Sequence, residues 1–225
     1  LTNAFAVYEQ WADELMLALG EPANSGKKLQ FPDRPWRSGA ESSIVALTAN
    51  ESATNKAAFY PVLCSSTKYD FVRLPNLLAC YRYFKELRNA EVHAGGVANA
   101  HLVEVFADFQ PVSTKADLGL NGDLIYEPAV LGQVTLLHLR GVVGFTDVLL
   151  RLMITFDAEL SRFDKAEAVL KTALRAATSG ASLMPGNPTL RNNRIRGLCR
   201  TAKLPRPVDP AIVYSFMVQQ RLLRV

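Results

Sequence analysis

Cysteine, histidine and tryptophan are scarce in this chain: three, three and two among 225 residues. Cys64, Cys80 and Cys199 form an odd, scattered set without a Cys-x-x-Cys pair. This argues against a disulfide framework and a zinc site and makes a reducing cytoplasm the expected compartment. A membrane span needs roughly 18 or more uninterrupted apolar residues. The strongest apolar stretch, Val142 to Phe156, is cut by Gly144, Thr146, Asp147 and Arg151, so it reads as a buried helix and no membrane contact is expected. No Glu-x-x-His occurs, and Asp13 with Glu14, or Asp157 with Glu159, are not spaced as an inward metal-binding set. Neither a metal nor an organic cofactor is expected. Gly20-x(5)-Gly26-Lys27-Lys28 only superficially suggests a phosphate loop: it has one residue too many, lacks the Ser or Thr after Lys, and follows a helix. The chain opens on Leu1, not Met, and no signal peptide is visible in it.

What is present is ordinary for a globular protein, with 49% hydrophobic and 20% charged residues. The length accommodates one bundle-sized domain with an appendage. Net charge is +4, unevenly spread. From residue 190 on, eight Lys and Arg stand against one acid, Asp209, and the rest of the chain is net negative.

Three-and-four spacing predicts a first helix over Thr2 to Leu19, stopped by Gly20 and Pro22. Residues 20 to 41 read as a long loop, and Ser42 to Phe59 as one or two short helices before Pro61. A helix from Pro75 to about Ala94 and another over Val97 to Phe109 follow. Asn121-Gly122, between Leu118-Gly119-Leu120 and Asp123 to Tyr126, is a hairpin signal. Pro128 is expected to start a long helix to about Phe163, with a further one over Asp164 to Ala177. Residues 181–187 read as a linker, and Asn187-Pro188 and Asp209-Pro210 as starts of helices over 188 to 203 and 210 to 224. The expected fold is all-α: a four-to-five-helix up-down bundle over 1–180, a small β-hairpin insertion, and a basic C-terminal helical pair over 188–225. On the first helix of that pair Arg196, Arg200 and Lys203 share one side and are candidate RNA contacts, because clustered cations release counterions from phosphates. Leu190, Ile195, Leu198 and Ala202 share the other.

One place breaks the hydrophobic pattern. At about 100° per residue, Leu77, Tyr81, Phe84, Arg88 and Val92 form a single stripe, so Arg88 takes a core slot. A guanidinium cannot be neutralised there. It must find a carboxylate such as Glu9 or Glu14, carbonyls, or an anion from outside. Asn89 and His93 are four apart and share another face, with Arg82 earlier on it as a further candidate RNA contact. His101 could face the same cleft, although a surface role fits it better, and His138 among leucines reads as a hydrogen-bonded core residue.

The run Arg88-Asn89-Ala90-Glu91-Val92-His93, ahead of Gly95-Gly96, resembles the R-x(4-6)-H signature of the HEPN superfamily (higher eukaryotes and prokaryotes nucleotide-binding). It looks most like the RNase-type branch, similar to RiboL-PSP-like domains. The resemblance covers about 25 residues. It implies a small all-α bundle that dimerises and a metal-independent endoribonuclease, used as a toxin or antiviral effector and paired with an antitoxin or defence-system partner. The site it implies is catalytic Arg88, Asn89 and His93. A branch with a modifiable Tyr two positions after the His has Gly95 here instead, so control by such modification is not expected.

The residue types suit the chemistry. Metal-free RNA cleavage needs a group to take the 2′-OH proton, one to protonate the leaving 5′-oxygen, and positive charge on the transition state. Histidine titrates near neutrality and can do either proton job. An Arg fork can hold the phosphoryl oxygens, with Asn89 orienting. Five positions place Arg88 and His93 about 140° apart around one helix, so convergence calls for a second copy across a two-fold axis. Two other classes fit the same sequence: an inactive HEPN scaffold binding RNA or a partner protein, and a DNA-binding regulator using the basic C-terminal helices. In the bland alternative, Glu9 or Glu14 neutralises Arg88 and His93 merely caps a helix end.

Overall fold

A computed structural model describes residues 1–34, 37–178 and 182–224. The chain is mostly helical and divides into two compact units. The first comprises residues 1–17, 21–43 and 68–155, the second 18–20, 44–67 and 156–225. No helix among the described residues is long and apolar enough to cross a membrane.

The first unit contains most of α1 (Thr2–Ala18), the start of α2 (Ala40–Leu47), α5 (Leu74–Ala94), α6 (Ala100–Phe109) and the first 17 residues of α7 (Leu139–Ser161). Its core is aromatic. Phe5 and Phe84 lie 5.0 and 4.7 Å, centroid to centroid, from Phe145, and Phe5 meets Tyr81 edge-on at 5.3 Å. Tyr83 continues the cluster by stacking on Phe109 at 5.0 Å. Each of these rings is buried, worth roughly 1.5–3 kcal/mol apiece in apolar transfer alone. Leu77, Tyr81 and Phe84 are the inward part of the expected stripe, while Val92 is 59% exposed. The Gly20/Gly26 motif is structural: a Cβ on Gly26 would come within 2.7 Å of the Ala12 backbone, and its N–H donates to Asp13 at 3.0 Å.

Asp33 organises the entry to α2. Its carboxylate accepts from the Gly39 N–H at 2.6 Å and from the backbone and hydroxyl of Ser42. Partial burial raises its pKa, but the hydrogen bonds from Ser42 and Gly39 outweigh that and hold it below its ordinary 3.8. Because the folded value is the lower one, this stabilisation is complete above pH 3.8 and is lost as pH falls through the folded value. Asp33→Ala is expected to cost about 1 kcal/mol at neutral pH, with the gap from wild type closing in acid, read by urea unfolding at several pH values.

The second unit holds α3 (Ala53–Ala58), α4 (Tyr60–Cys64), the last six residues of α7, α8 (Ala166–Thr178), α9 (Pro188–Thr201) and α10 (Pro210–Gln219). Ser52, Asn187 and Asp209 cap α3, α9 and α10 with their side chains. Pro61, expected to break this region, sits in the first turn of α4, where proline is tolerated. Phe59, Leu170, Leu174, Ile195, Val213 and Met217 lie in its core. Two-residue strands β1 (Ser182–Leu183) and β2 (Leu223–Arg224) pair in parallel.

Several expectations are corrected. The hairpin around Asn121-Gly122 does not form: neither residue adopts the positive φ that its two-residue turn requires. Instead Leu118 and Leu124 are buried, and the Tyr83 hydroxyl donates to the Glu127 carbonyl at 2.6 Å. The long helix begins at Leu139, not Pro128, because 132–135 hydrogen-bond to 96–98 (Ala98 N to Gln133 O, Gly132 N to Ala98 O, Thr135 N to Gly96 O). α6 starts after Asn99, whose side chain accepts from the Leu102 N–H at 2.9 Å. The C-terminal helices share a core with α3 and α8, so residues 181–187 do not separate the two units; Ser179, Gly180 and Ala181 lie outside the described residues.

Candidate functional site

α5 carries the motif. Pro75 occupies its first turn, and Gly95 and Gly96 end it, both in the left-handed region at φ 58° and 82° where a side chain would be strained. The residues from Leu74 to Ala90 that face inward are buried, whereas Glu91, Val92, His93 and Ala94 are exposed. The last turn thus projects His93 into solvent.

Arg88 lies at the margin of the core. It is half-buried, its guanidinium carbon is 5.4 Å from the centroid of Phe5, and its Nε is buried without a hydrogen-bond partner. The acids that could neutralise it are engaged elsewhere. Glu9 accepts from Lys85 Nζ at 2.6 Å and the Tyr81 hydroxyl at 3.1 Å, and Glu14 accepts from Gln10 at 2.8 Å. Among the described residues Arg88 has no carboxylate within ion-pair distance. Asn89 donates to Glu86 at 3.2 Å, so its amide points back along the helix instead of orienting His93.

Beside this helix end lies an apolar rim. The segment hydrogen-bonded to 96–98 exposes Leu131, Val134 and Leu136, at 65, 56 and 53%, and Val97 pairs with Val134. Periodicity hid this rim, because the segment was expected to be helical.

Arg82 is drawn into a different arrangement. It lies 4.6 Å over the Phe31 ring, 3.5 Å from His101 and 3.9 Å from Glu86, in a cleft of about 160 Å³ also lined by Arg34 and Arg37. Burial, ahead of any neighbour, lowers its pKa. His101 is exposed and 3.5 Å from Glu104. Asp108 pairs with Arg34, so acids balance the cations of this cleft. His138 is not a core residue: it is exposed and bonded to Glu127 at 2.8 Å.

Arg196, Arg200 and Lys203 do converge. With Asn193, Gly197, Leu204 and Arg206 they line a cleft of about 640 Å³ at the C-terminal end of α9, and no carboxylate lines it. Sequence reading missed Arg206 as a member because it lies past the helix end; the prolines at 205 and 207 were the available signal that its position is rigid. Leu190, expected on the inner face, is 59% exposed. Two cleft residues are locally unfavourable. Gly197 occupies a helix interior at a cost of roughly 1 kcal/mol relative to Ala, although a Cβ there would meet nothing within 4 Å. Lys203 adopts φ 57° in the position after the helix cap, where glycine is the usual choice.

No family model, curated protein or solved structure matches the chain. Function therefore has to be argued from the residues themselves. Two places qualify: the Arg88 and His93 end of α5 in the first unit, and the cationic cleft of α9 in the second.

Proposed function

We propose that the protein is a HEPN-type, metal-independent endoribonuclease acting as a dimer, with a toxin or antiviral role. The observation that carries this reading is Arg88: a half-buried guanidinium with an unbonded Nε, left unpaired while Lys85 takes the nearby Glu9. Its guanidinium lies near the Phe5 ring, no acid among the described residues pairs with it, and a phosphodiester would supply both the missing acceptor and the opposite charge. His93 stands one to two turns further along the same helix, exposed.

In the reaction, the 2′-oxygen attacks phosphorus as His93 removes its proton, and the P–O5′ bond breaks as the leaving oxygen gains a proton. The products are a 2′,3′-cyclic phosphate and a 5′-hydroxyl. Arg88 holds the non-bridging oxygens as charge builds on them. One His cannot be base and acid in the same step, and the partner copy supplies the second. The apolar rim of Leu131, Val134 and Leu136 beside the helix end suits a two-fold contact that brings the two helix ends together.

The test is incubation of purified protein with mixed cellular RNA in EDTA. Wild type is expected to cleave and leave cyclic-phosphate ends, and His93→Ala to be slower by about 10²–10⁴-fold. Undiminished cleavage by His93→Ala ends the assignment. Light scattering is expected to show a dimer; a strict monomer leaves half of the site unsupplied.

A further inference from the structure

We propose that the cleft at the C-terminal end of α9 is a polyphosphate-binding site that holds two or more adjacent phosphate groups. Arg196, Arg200, Lys203 and Arg206 are its cations and Asn193 its neutral donor. The proposal is independent of the ribonuclease reading, which concerns the other unit.

Three observations carry it. First, four cations line one concavity with no acid among the lining residues, and none of the four makes an ion pair among the described residues. Asp209, the only acid from residue 190 on, is turned to the Ala211 N–H at 2.8 Å. Like charges gathered in a cleft repel one another until an anion enters. Second, Arg196 has a buried Nε without a partner, and its Nη1 reaches only Asn193 at a long 3.4 Å. A guanidinium with a buried, unbonded Nε and only one long hydrogen bond is open to a phosphate oxygen.

Third, the chain breaks local backbone preference twice, and both breaks line this cleft. Gly197 leaves the wall open where alanine would fit the helix better, since a Cβ meets nothing within 4 Å. Lys203 stands in a left-handed conformation that glycine would adopt without strain. Lys at the end of a helix is ordinarily explained by the helix dipole. That explanation covers neither the glycine nor Arg206, which lies beyond the helix. A volume of about 640 Å³ admits far more than one phosphate.

Adjacent phosphates come from an RNA strand or from a free polyphosphate such as a nucleoside triphosphate, and two probes distinguish the sources. Binding of a fluorescein-labelled uridine dodecamer is measured by anisotropy in EDTA, in the His93→Ala background so that the strand stays intact. Inorganic tripolyphosphate is measured by calorimetry. The triple variant Arg200→Glu, Lys203→Glu, Arg206→Glu is compared with a charge-matched control, Lys27→Glu, Lys115→Glu, Arg140→Glu, whose sites are exposed in the first unit.

The cleft variant is expected to lose at least about tenfold in affinity for one or both probes, with a flatter salt dependence, and the control to lose much less. Loss confined to the dodecamer identifies a strand; loss with tripolyphosphate identifies a free polyphosphate. Lys203→Gly and Gly197→Ala guard against misfolding: both are expected to raise the melting temperature while weakening binding. Equal loss in cleft and control variants, or no binding of either probe to wild type in 50 mM salt, overturns the proposal.

Discussion

Arg88→Met is expected to slow RNA cleavage strongly and, at the same time, to make the protein more stable. Methionine matches the length of the arginine stem, keeps contact with the Phe5 ring, and removes a buried Nε that has no partner. An unsatisfied buried donor costs about 1–3 kcal/mol, so a gain near 1 kcal/mol is expected in urea unfolding. Cleavage should fall by roughly 10²–10³-fold, the scale of losing one transition-state donor. The two readouts separate the roles of this residue. Were Arg88 held for folding, both would fall together, and a destabilised but active Arg88→Met would remove it from the site. Arg88→Lys keeps the charge but not the fork, so it is expected to lie between the two in activity.

The second large effect is expected at Glu159. Its carboxylate is 2% exposed and is bonded by Arg162 and by the Tyr60 hydroxyl at 3.0 Å, all within the second unit. Arg162 also reaches Glu51 at 3.0 Å and lies 4.8 Å over the Tyr60 ring. Glu159→Ala leaves a half-compensated guanidinium and removes one hydrogen bond of the Tyr60 hydroxyl. Removing one partner of a buried pair costs about 3–5 kcal/mol, and the retained Glu51 contact puts the expectation at the lower end. With a protein of this size that corresponds to a fall of roughly 6–12 °C in melting temperature. Glu159→Gln keeps one acceptor and should lose less. A melting temperature unchanged by Glu159→Ala would show that the network contributes nothing to stability.

How far the sequence could be read depended on whether the governing interactions were local. α5 and α9 were legible almost to the residue, and α10 at its start, because Pro75, Gly95, Asn187-Pro188 and Asp209-Pro210 act within their own turns; α10, expected to run to 224, ends at Gln219 because the chain turns there into β2. The region from 118 to 138 was not. Asn-Gly favours a turn only when its backbone enters the left-handed region, and here distant partners prevail: burial of Leu118 and Leu124, and bonding of 132–135 to 96–98. The same holds at the site. Arg88 was recognisable as an anomaly from periodicity alone, but that Lys85 would claim Glu9 depends on how α1 meets α5. The leucines around His138 suggested a core position, but the start of α7 is itself exposed, Leu139 included, so apolar neighbours in sequence did not mean burial there.

The clamp between 96–98 and 132–135 consists of main-chain bonds, which are indifferent to the side chains they carry. Side-chain changes at 131, 134 and 136 therefore leave these main-chain bonds in place. In the proposed dimer, self-recognition can diverge by rewriting three apolar side chains, leaving the main chain beside His93 unaltered.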